Sequence, residues 1–320
     1  MNNQNPKVTV LMPAFNAAKY ISEAIQSVLG QTFTDFELLI INDGSTDNTL
    51  EIIKKFTDKR IRIITQESKG VSIALNNGLH AARGIYIARF DADDICMNKR
   101  LERQVRFLDV NPDYIIIGSD AEYIKENGDH LFDFHCNSYA CNDIMDRLYQ
   151  HCPFIHSSVM YRKDDVVNAG GYSPYAHNFE DYLLWVNLLK AGKCCNMPDA
   201  LIKVRFNSGS VTIDEKWRGG NFRKLKREII KRGTITEKEG NKLLSIIKSQ
   251  EIRRIKESSY HALCSKKFLL DNYQPSKARW HAGRAIYINP LRLDNYALFV
   301  SCFLPLKWIK WLKQHNTAHV

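Results

Sequence analysis

At 320 residues the chain can form one large domain or two ordinary ones, and 44% hydrophobic with 25% charged content is globular, which excludes wholesale disorder and fibrous repeats. The net charge of +10 is unevenly placed: residues 1–215 hold 22 Lys and Arg against 28 Asp and Glu, whereas residues 216–320 hold 23 against 7. An acidic body joined to a basic tail that seeks an anionic surface is the arrangement this implies.

The eight cysteines form no CxxC pair, and Cys194 and Cys195 are adjacent, which suits neither a zinc ribbon nor an easy disulfide. They are predicted to be reduced. The first fifteen residues lack the basic and apolar regions of a secretory signal. No apolar run reaches the roughly 18–20 residues of a membrane span; the longest, Tyr296 to Leu306, is about half of one. A cytoplasmic protein is expected.

In chain order, Val8–Met12 reads as a strand ended by Pro13. Ala17–Leu29 reads as a helix, with Ile21, Ala24, Ile25, Val28 and Leu29 on one face and Asn16 as its N-cap. Strands are predicted at Phe36–Ile41, Ile61–Thr65, Ile85–Phe90 and Tyr114–Gly118, alternating with helices at Thr49–Phe56, Val71–Ala82 and Asn98–Val110. Further on, Cys152–Tyr161 is strand-like and Tyr182–Leu189 helical, and from about residue 216 the pattern is helical, basic and amphipathic. Alternating strands and helices of these lengths predict parallel pairing in a doubly wound α/β sheet. Ligands bind such sheets outside the carboxyl ends of the strands. Three strand ends carry polar clusters, Pro13–Asn16, Asn42–Asp47 and Asp91–Asp94, and the site is expected where they converge.

Asp91 and Asp93, one residue apart at a strand end, are hard oxygen ligands suited to magnesium or manganese, though short acidic turns are common without any metal. Asn42–Asp47 reads either as strand–turn–helix punctuation or as a nucleotide pocket in which Asp43 accepts from a base or a ribose hydroxyl. No GxxxxGKS or GxGxxG loop follows an early strand, so P-loop and dinucleotide chemistry are disfavoured. Glu180 and Asp181 open an amphipathic helix, where the dipole favours carboxylates; they read as simple capping or as a general base held ionised. Being adjacent, they cannot both aim at the chemistry.

Five segments in order, PKVTVLMPAFNAAKYISEAIQSVLGQTF, INDGSTDNT, NNGLHAARGIYIARFDADD, PFIHSSVMYRK and FEDYLLW, resemble family 2 glycosyltransferases of the GT-A fold, over residues 6–212. The resemblance implies a GT-A catalytic domain over residues 1–215, a mixed doubly wound sheet, and a basic helical region over 216–320. It implies that Pro13, Ala14 and Asn16 line the nucleotide base, that Asp43 binds uracil or ribose, and that Arg83 approaches the base or diphosphate. Asp91 would face the ribose and, with Asp93, complete a DxD motif for Mn2+ or Mg2+. Asp181 would be the catalytic base, with Glu180 positioning the acceptor, and His156 would lie near the acceptor pocket or serve the core. Many relatives carry Arg-x-His near the end of the catalytic domain. Here Arg205-Phe206-Asn207 keeps the Arg, a candidate diphosphate contact, and places Asn where the His would ligate metal.

The expected function is inverting transfer of a sugar from a nucleotide-diphosphate donor, a UDP-sugar, to a lipid-linked or surface-polysaccharide acceptor. The expected place is the inner face of the plasma membrane. The basic run from Trp217 to Arg232 reads either as membrane-seeking or, with residues 216–290, as a helical subdomain packed on the catalytic domain, whereas the aromatic, lysine-studded stretch Phe299–Leu312 points to a membrane surface; no motif for nucleic acid accompanies them. A processive synthase would bring spanning helices and a QxxRW motif, and Gln274…Arg279-Trp280 has the wrong spacing. A sugar-nucleotide nucleotidyltransferase needs a Gly-rich loop where this chain has PAFNAAKY. An inactive nucleotide-binding module is the non-enzyme alternative.

Overall fold

The computed structural model describes residues 5–207, 209, 219–249 and 253–315, with side chains up to 311. The expected domain boundary at 215/216 and the start of the basic run at Trp217 lie outside the described residues. Two compact units are present: one runs up to Glu122 and resumes over Cys136–Arg205, and the other comprises Tyr123–His135 and the chain from Phe206 onward.

In the first unit, strands and helices alternate in the predicted order: β1 (Val8–Ala14), α1 (Ile21–Leu29), β2 (Phe36–Asp43), α2 (Thr49–Lys54), β3 (Ile61–Gln66), α3 (Val71–Ala81), β4 (Tyr86–Arg89), β5 (Ile95–Cys96), α4 (Arg100–Val110) and β6 (Tyr114–Ile124). β6 runs on into the second unit, where β7 (His130–Phe134) pairs with it. Then come α5 (Cys141–Arg147), β8 (Met160–Arg162), α6 (Lys163–Asn168), α7 (Glu180–Leu188) and β9 (Lys193–Arg205). The sheet order is β3-β2-β1-β4-β8-β6-β9-β5. β3, β2, β1 and β4 pair in parallel, as the alternation predicts. β8 runs antiparallel to both β4 and β6, and β5 antiparallel to β9, so the sheet is mixed.

Burial follows the pattern of parallel strands covered on both faces. Leu38 to Ile41 of β2 and Leu11 and Met12 of β1 are fully buried, and α1 buries the predicted Ile21, Ala24, Ile25 and Val28. α3 lies so close to the sheet that a Cβ at Gly78 would stand 2.2 Å from Leu11 Cδ1. Two expectations need correction. Asn16 is not a helix cap: α1 starts at Ile21, and Asn16 adopts φ 50°, a left-handed conformation that Asn tolerates. Cys152–Tyr161 is mostly not a strand, because His156–Ser158 form a 3-10 turn closed by Ser158 Oγ donating to the Ile155 carbonyl at 2.8 Å.

The second unit is helical beyond β7, with α8 (Gly220–Arg232), α9 (Glu237–Ser249), α10 (Arg253–Lys266), α11 (Pro275–Ile288), α12 (Leu293–Ser301) and α13 (Leu306–His315). An aromatic cluster joins Tyr123, Phe132, Phe206 and Phe268 at centroid distances of 5.0–6.1 Å. Beside it the Nδ1 atoms of His261 and His281 lie 2.9 Å apart, so one donates and the other accepts. Burial first, then His261 and Lys125, press the His281 pKa down to about 3.

The unfolded chain therefore binds a proton at this histidine below its ordinary 6.5 that the folded chain refuses until about 3. Stability falls as pH drops through that window. Urea midpoints measured at pH 7 and pH 5 are expected to show the decline, and His281→Gln to shrink it.

Candidate active site

At the carboxyl ends of the parallel strands, side chains sew two loops together. Pro13 and Ala14 close β1 in register with Ile41 and Asn42. Asn16 Oδ1 accepts from the Thr46 N–H at 2.8 Å, Asn16 N–H donates to Ser45 Oγ at 3.1 Å, and Ala17 N–H donates to Thr49 Oγ1 at 2.8 Å. The buried Asp43 carboxylate accepts from Gln66 Nε2 at 2.7 Å, Lys69 N–H at 2.9 Å and Gly70 N–H at 2.8 Å. It thereby fixes the loop that leads into α3. Gly44, at φ +70°, lets this loop approach: a Cβ there would meet Ser68 N at 2.7 Å.

The next strand end is dominated by charge. Arg89 is buried at the end of β4, and its Nη1 donates to Asp91 in an ion pair. Burial opposes its charge, yet Asp91, Tyr172 and Asp94 around it hold the guanidinium above its ordinary pKa. Asp93 is only partly covered, but desolvation and then Asp91 raise its carboxyl to about 6. Asp94 is buried, accepts from Ser157 Oγ and from the Arg205 N–H at 2.9 Å, and is raised well above the usual carboxylate range by burial and then by Asp93. Arg205, at the end of β9, donates from Nε to the Asp93 carbonyl at 2.9 Å and from Nη2 to Glu23 at 2.6 Å, with its guanidinium 4.3 Å over the Tyr20 ring.

The third component is the start of α7. Burial, then Asp181, raise Glu180 to about 7, with Arg89 pulling it down and Asp91 pushing it up. Glu180 thus stands within electrostatic reach of the β4 carboxylates. Asp181 Oδ1 accepts from the Tyr182 N–H at 2.7 Å, and its Oδ2 faces Cys152 Sγ at 3.7 Å. His156 meets Tyr172 Oη through Nε2 at 3.0 Å and packs edge-on to Trp185 at 5.9 Å; burial, then Arg89, keep it neutral. Asp93, Glu180 and His156 are all part-exposed, and burial is the first cause of the shift at each.

Asp91 pairs with Arg89, whose charge also acts on Asp93, His156 and Glu180; Arg205 joins through the Asp93 carbonyl and Asp181 through its neighbour Glu180, with Pro13, Ala14, Asn16 and Asp43 on the same strand-end rim. Arg83 does not join them. Its N–H donates to Glu37 Oε1 at 2.7 Å and the next N–H, of Gly84, donates to Thr9 Oγ1 at 2.9 Å, so it sits at the amino ends of the strands, one strand length from Asp91. Exposed cations on the strand-end rim include Lys19 and Lys69. Sequence reasoning passed over Arg89, Asp94 and Ser157. A single arginine inside an otherwise apolar strand, IYIARF, is the signal that could have found the first.

Among the described residues no cluster of three or more His, Cys, Asp or Glu is arranged to hold a metal unaided. Asp91 and Asp93 nevertheless fit a divalent cation as a pair: both are hard oxygen donors, and Asp91 raises the cost of charging Asp93. Substrate phosphate oxygens would complete the shell.

A mixed sheet whose parallel strand ends meet a DxD turn and a helix-borne carboxylate pair defines a GT-A transferase. The chain matches the family described as glycosyl transferase family 2 over residues 9–170, and it belongs to that family. An uncharacterized glycosyltransferase of Haemophilus influenzae is 34% identical over 242 residues, spanning 70% of this chain and 73% of that one. The O-antigen biosynthesis glycosyltransferase WbnJ of Escherichia coli is 32% identical over 210 residues, 63% of this chain and 81% of that protein. By fold the chain is similar to S. aureus TarS 1–349 in complex with UDP-GlcNAc, with TM-score 0.55, 16% identity and coverage of 97% and 92% of the two chains. It is likewise similar to the Pyrobaculum calidifontis mannosyltransferase PcManGT in complex with GDP-Man and Mn2+, with TM-score 0.55, 16% identity and coverage of 96% and 89%.

Arg89→Met would leave the carboxylates around it without their buried counter-charge. It is expected to cost about 3–5 kcal/mol, measured by urea denaturation.

Proposed function

We propose that this protein is an inverting, metal-dependent glycosyltransferase that moves a sugar from a nucleotide-diphosphate donor, a UDP-sugar, to a hydroxyl of a lipid-linked or surface-polysaccharide acceptor at the inner face of the plasma membrane. The observation that carries the reading is the gathering of Asp91, Asp93 and Glu180 around one buried guanidinium, although α7 lies some ninety residues beyond β4. The O-antigen assignment of WbnJ supports the acceptor class, and the UDP-GlcNAc of TarS supports the donor class. The catalytic work belongs to residues 1–215, the basic region 216–320 serving attachment.

In this reading the sewn loops of Pro13–Asn16 and Asn42–Asp47 form the nucleotide platform, with Asp43 holding its floor rigid and offering its remaining lone pairs to the base or ribose. Asp91 and Asp93 would hold Mn2+ or Mg2+, which when bound supplies Lewis-acid neutralisation of the departing diphosphate. Arg205 holds the Asp93 carbonyl and Asp94 anchors Arg205, so the DxD turn is set before substrate arrives. The acceptor oxygen attacks the anomeric carbon, the bond from that carbon to the diphosphate oxygen breaks, and the acceptor proton passes to Asp181. One base on one face implies inversion, an α-linked donor giving a β-linked product. Neutral His156, fixed by Tyr172, lines the acceptor side and adds no positive charge there.

One observation favours a second assignment of the base. Glu180, raised to about 7 by burial and then by Asp181, has the affinity a base needs near neutral pH and also feels the charges of Arg89 and Asp91. Asp181→Asn is expected to lower kcat by about 10²–10⁴-fold with UDP affinity nearly unchanged, and Glu180→Gln to lower it less. The reverse ranking in initial-rate assays assigns the base to Glu180, and wild-type turnover by both variants removes the mechanism.

Calorimetric titration with UDP tests the metal. Affinity in the wild type is expected to fall at least about tenfold on adding EDTA, and Asp93→Ala to abolish that dependence. Equal wild-type affinity with and without Mn2+ rejects the metal role.

A further inference from the structure

The second unit ends in three consecutive helices that turn large apolar side chains outward. α11 buries Ala278, His281, Ala282 and Ala285 and leaves Trp280, Arg284 and Tyr287 outside. α12 buries Asn295 and Leu298 and leaves Leu293, Tyr296 and Val300 outside, a 3–4 spacing that makes one stripe. α13 buries Ile309 and exposes Trp308 and Trp311. The connections continue the stripe, with Leu291 at 85% exposure, Leu293 at 80% and Phe303 at 62%. Only Arg292 separates Leu291 from Leu293, and Phe303, Leu304 and Leu306 link α12 to α13, so the apolar path is continuous along the chain.

Exposure of this kind is confined. Within the second unit, every exposed large apolar side chain among the described residues lies between Tyr273 and Trp311. α8 is equally basic but buries its Phe222, Ile229 and Ile230. Scattered single exposures are ordinary, whereas a patch of this extent is an interaction surface.

The occupant is indicated by charge. Between Pro275 and His315 the sequence holds seven Lys and Arg against one acidic residue, Asp294. Arg284 stands 5.4 Å over Tyr287, Arg279 stands 5.2 Å over Phe303, and Lys307 and Lys310 flank Trp308. A two-fold contact with a second copy would set these cations against themselves. Among the described residues no helix is long and apolar enough to cross a membrane. Aromatic side chains with cations beside them, on helices too short to span, match the headgroup layer of an anionic bilayer.

We propose that the outward stripes of α11, α12 and α13 form one membrane-docking face that inserts into the interface of an anionic lipid bilayer. This deepens the membrane location proposed above and widens its contact from Phe299–Leu312 back to Trp280. It rests on that reading for the place alone, not for the chemistry.

The test uses the full chain with vesicles of phosphatidylcholine, with and without phosphatidylglycerol, in a sedimentation assay. The wild type is expected to bind the anionic vesicles, less as NaCl rises, and to bind pure phosphatidylcholine weakly. Leu293→Asp with Val300→Asp is expected to weaken binding at least about tenfold, as is Trp308→Asp, with thermal unfolding and donor hydrolysis in solution unchanged. If Leu293→Asp with Val300→Asp binds like the wild type while removal of residues 306–320 abolishes binding, the three-helix face is wrong and the terminal helix alone is the contact. If the wild type ignores anionic vesicles, or light scattering shows a dimer that these substitutions dissociate, the proposal is overturned. Donor hydrolysis needs no vesicle, so loss of the catalytic reading registers separately.

Discussion

The buried Arg89 guanidinium is the constraint on which the rest of the first unit turns. A cation removed from water is tolerated only among compensating charges, and the chain supplies them from three places: the DxD turn, Asp94 behind it, and the α7 carboxylates. The carboxylates in turn tolerate one another only because the cation stands between them. Backbone at this point is also shared, since Arg89 N–H donates to the Val159 carbonyl at 3.0 Å, and Arg100, itself buried, donates from Nη2 to the carbonyls of both Arg89 and Val159. The change from parallel to antiparallel pairing between β4 and β8 is thus locked at the residue that organises the charges.

Much of this was legible in the sequence. Val8–Met12 and Phe36–Ile41 are apolar runs with no competing period, and both are central parallel strands, while the Ile21, Ala24, Ile25, Val28 spacing marked the buried face of α1. Asp91, Asp93 and Asp181 stood out as polar residues at the ends of apolar elements. What failed did so where side chains override local pattern. Asn16 has the chemistry of a cap, but its amide group is engaged by the neighbouring loop. His156–Ser158 has strand composition, but Ser158 closes a turn on itself. Arg83 follows a motif whose backbone, rather than its side chain, is used, and the N–H groups of residues 83 and 84 tie the start of β4 to Glu37 and Thr9. The roles of Asp94 and Ser157 depend on contacts across 63 or more residues, which no local window contains.

The two units differ in the side chains they bury and expose. The first concentrates carboxylates and buries them beside a single guanidinium, a setting in which small displacements change protonation. The second spreads cations over helices whose large apolar side chains are exposed only toward the carboxyl end.

Arg205 is the last residue of the first unit, and its N–H is held by Asp94, which Ser157 holds in turn. The polypeptide therefore leaves that unit through an atom bonded to the acidic turn. The next N–H along the chain, of Phe206, donates to the Ile124 carbonyl of β6 at 2.9 Å, so successive backbone groups at this point are held by the acidic turn and by a strand.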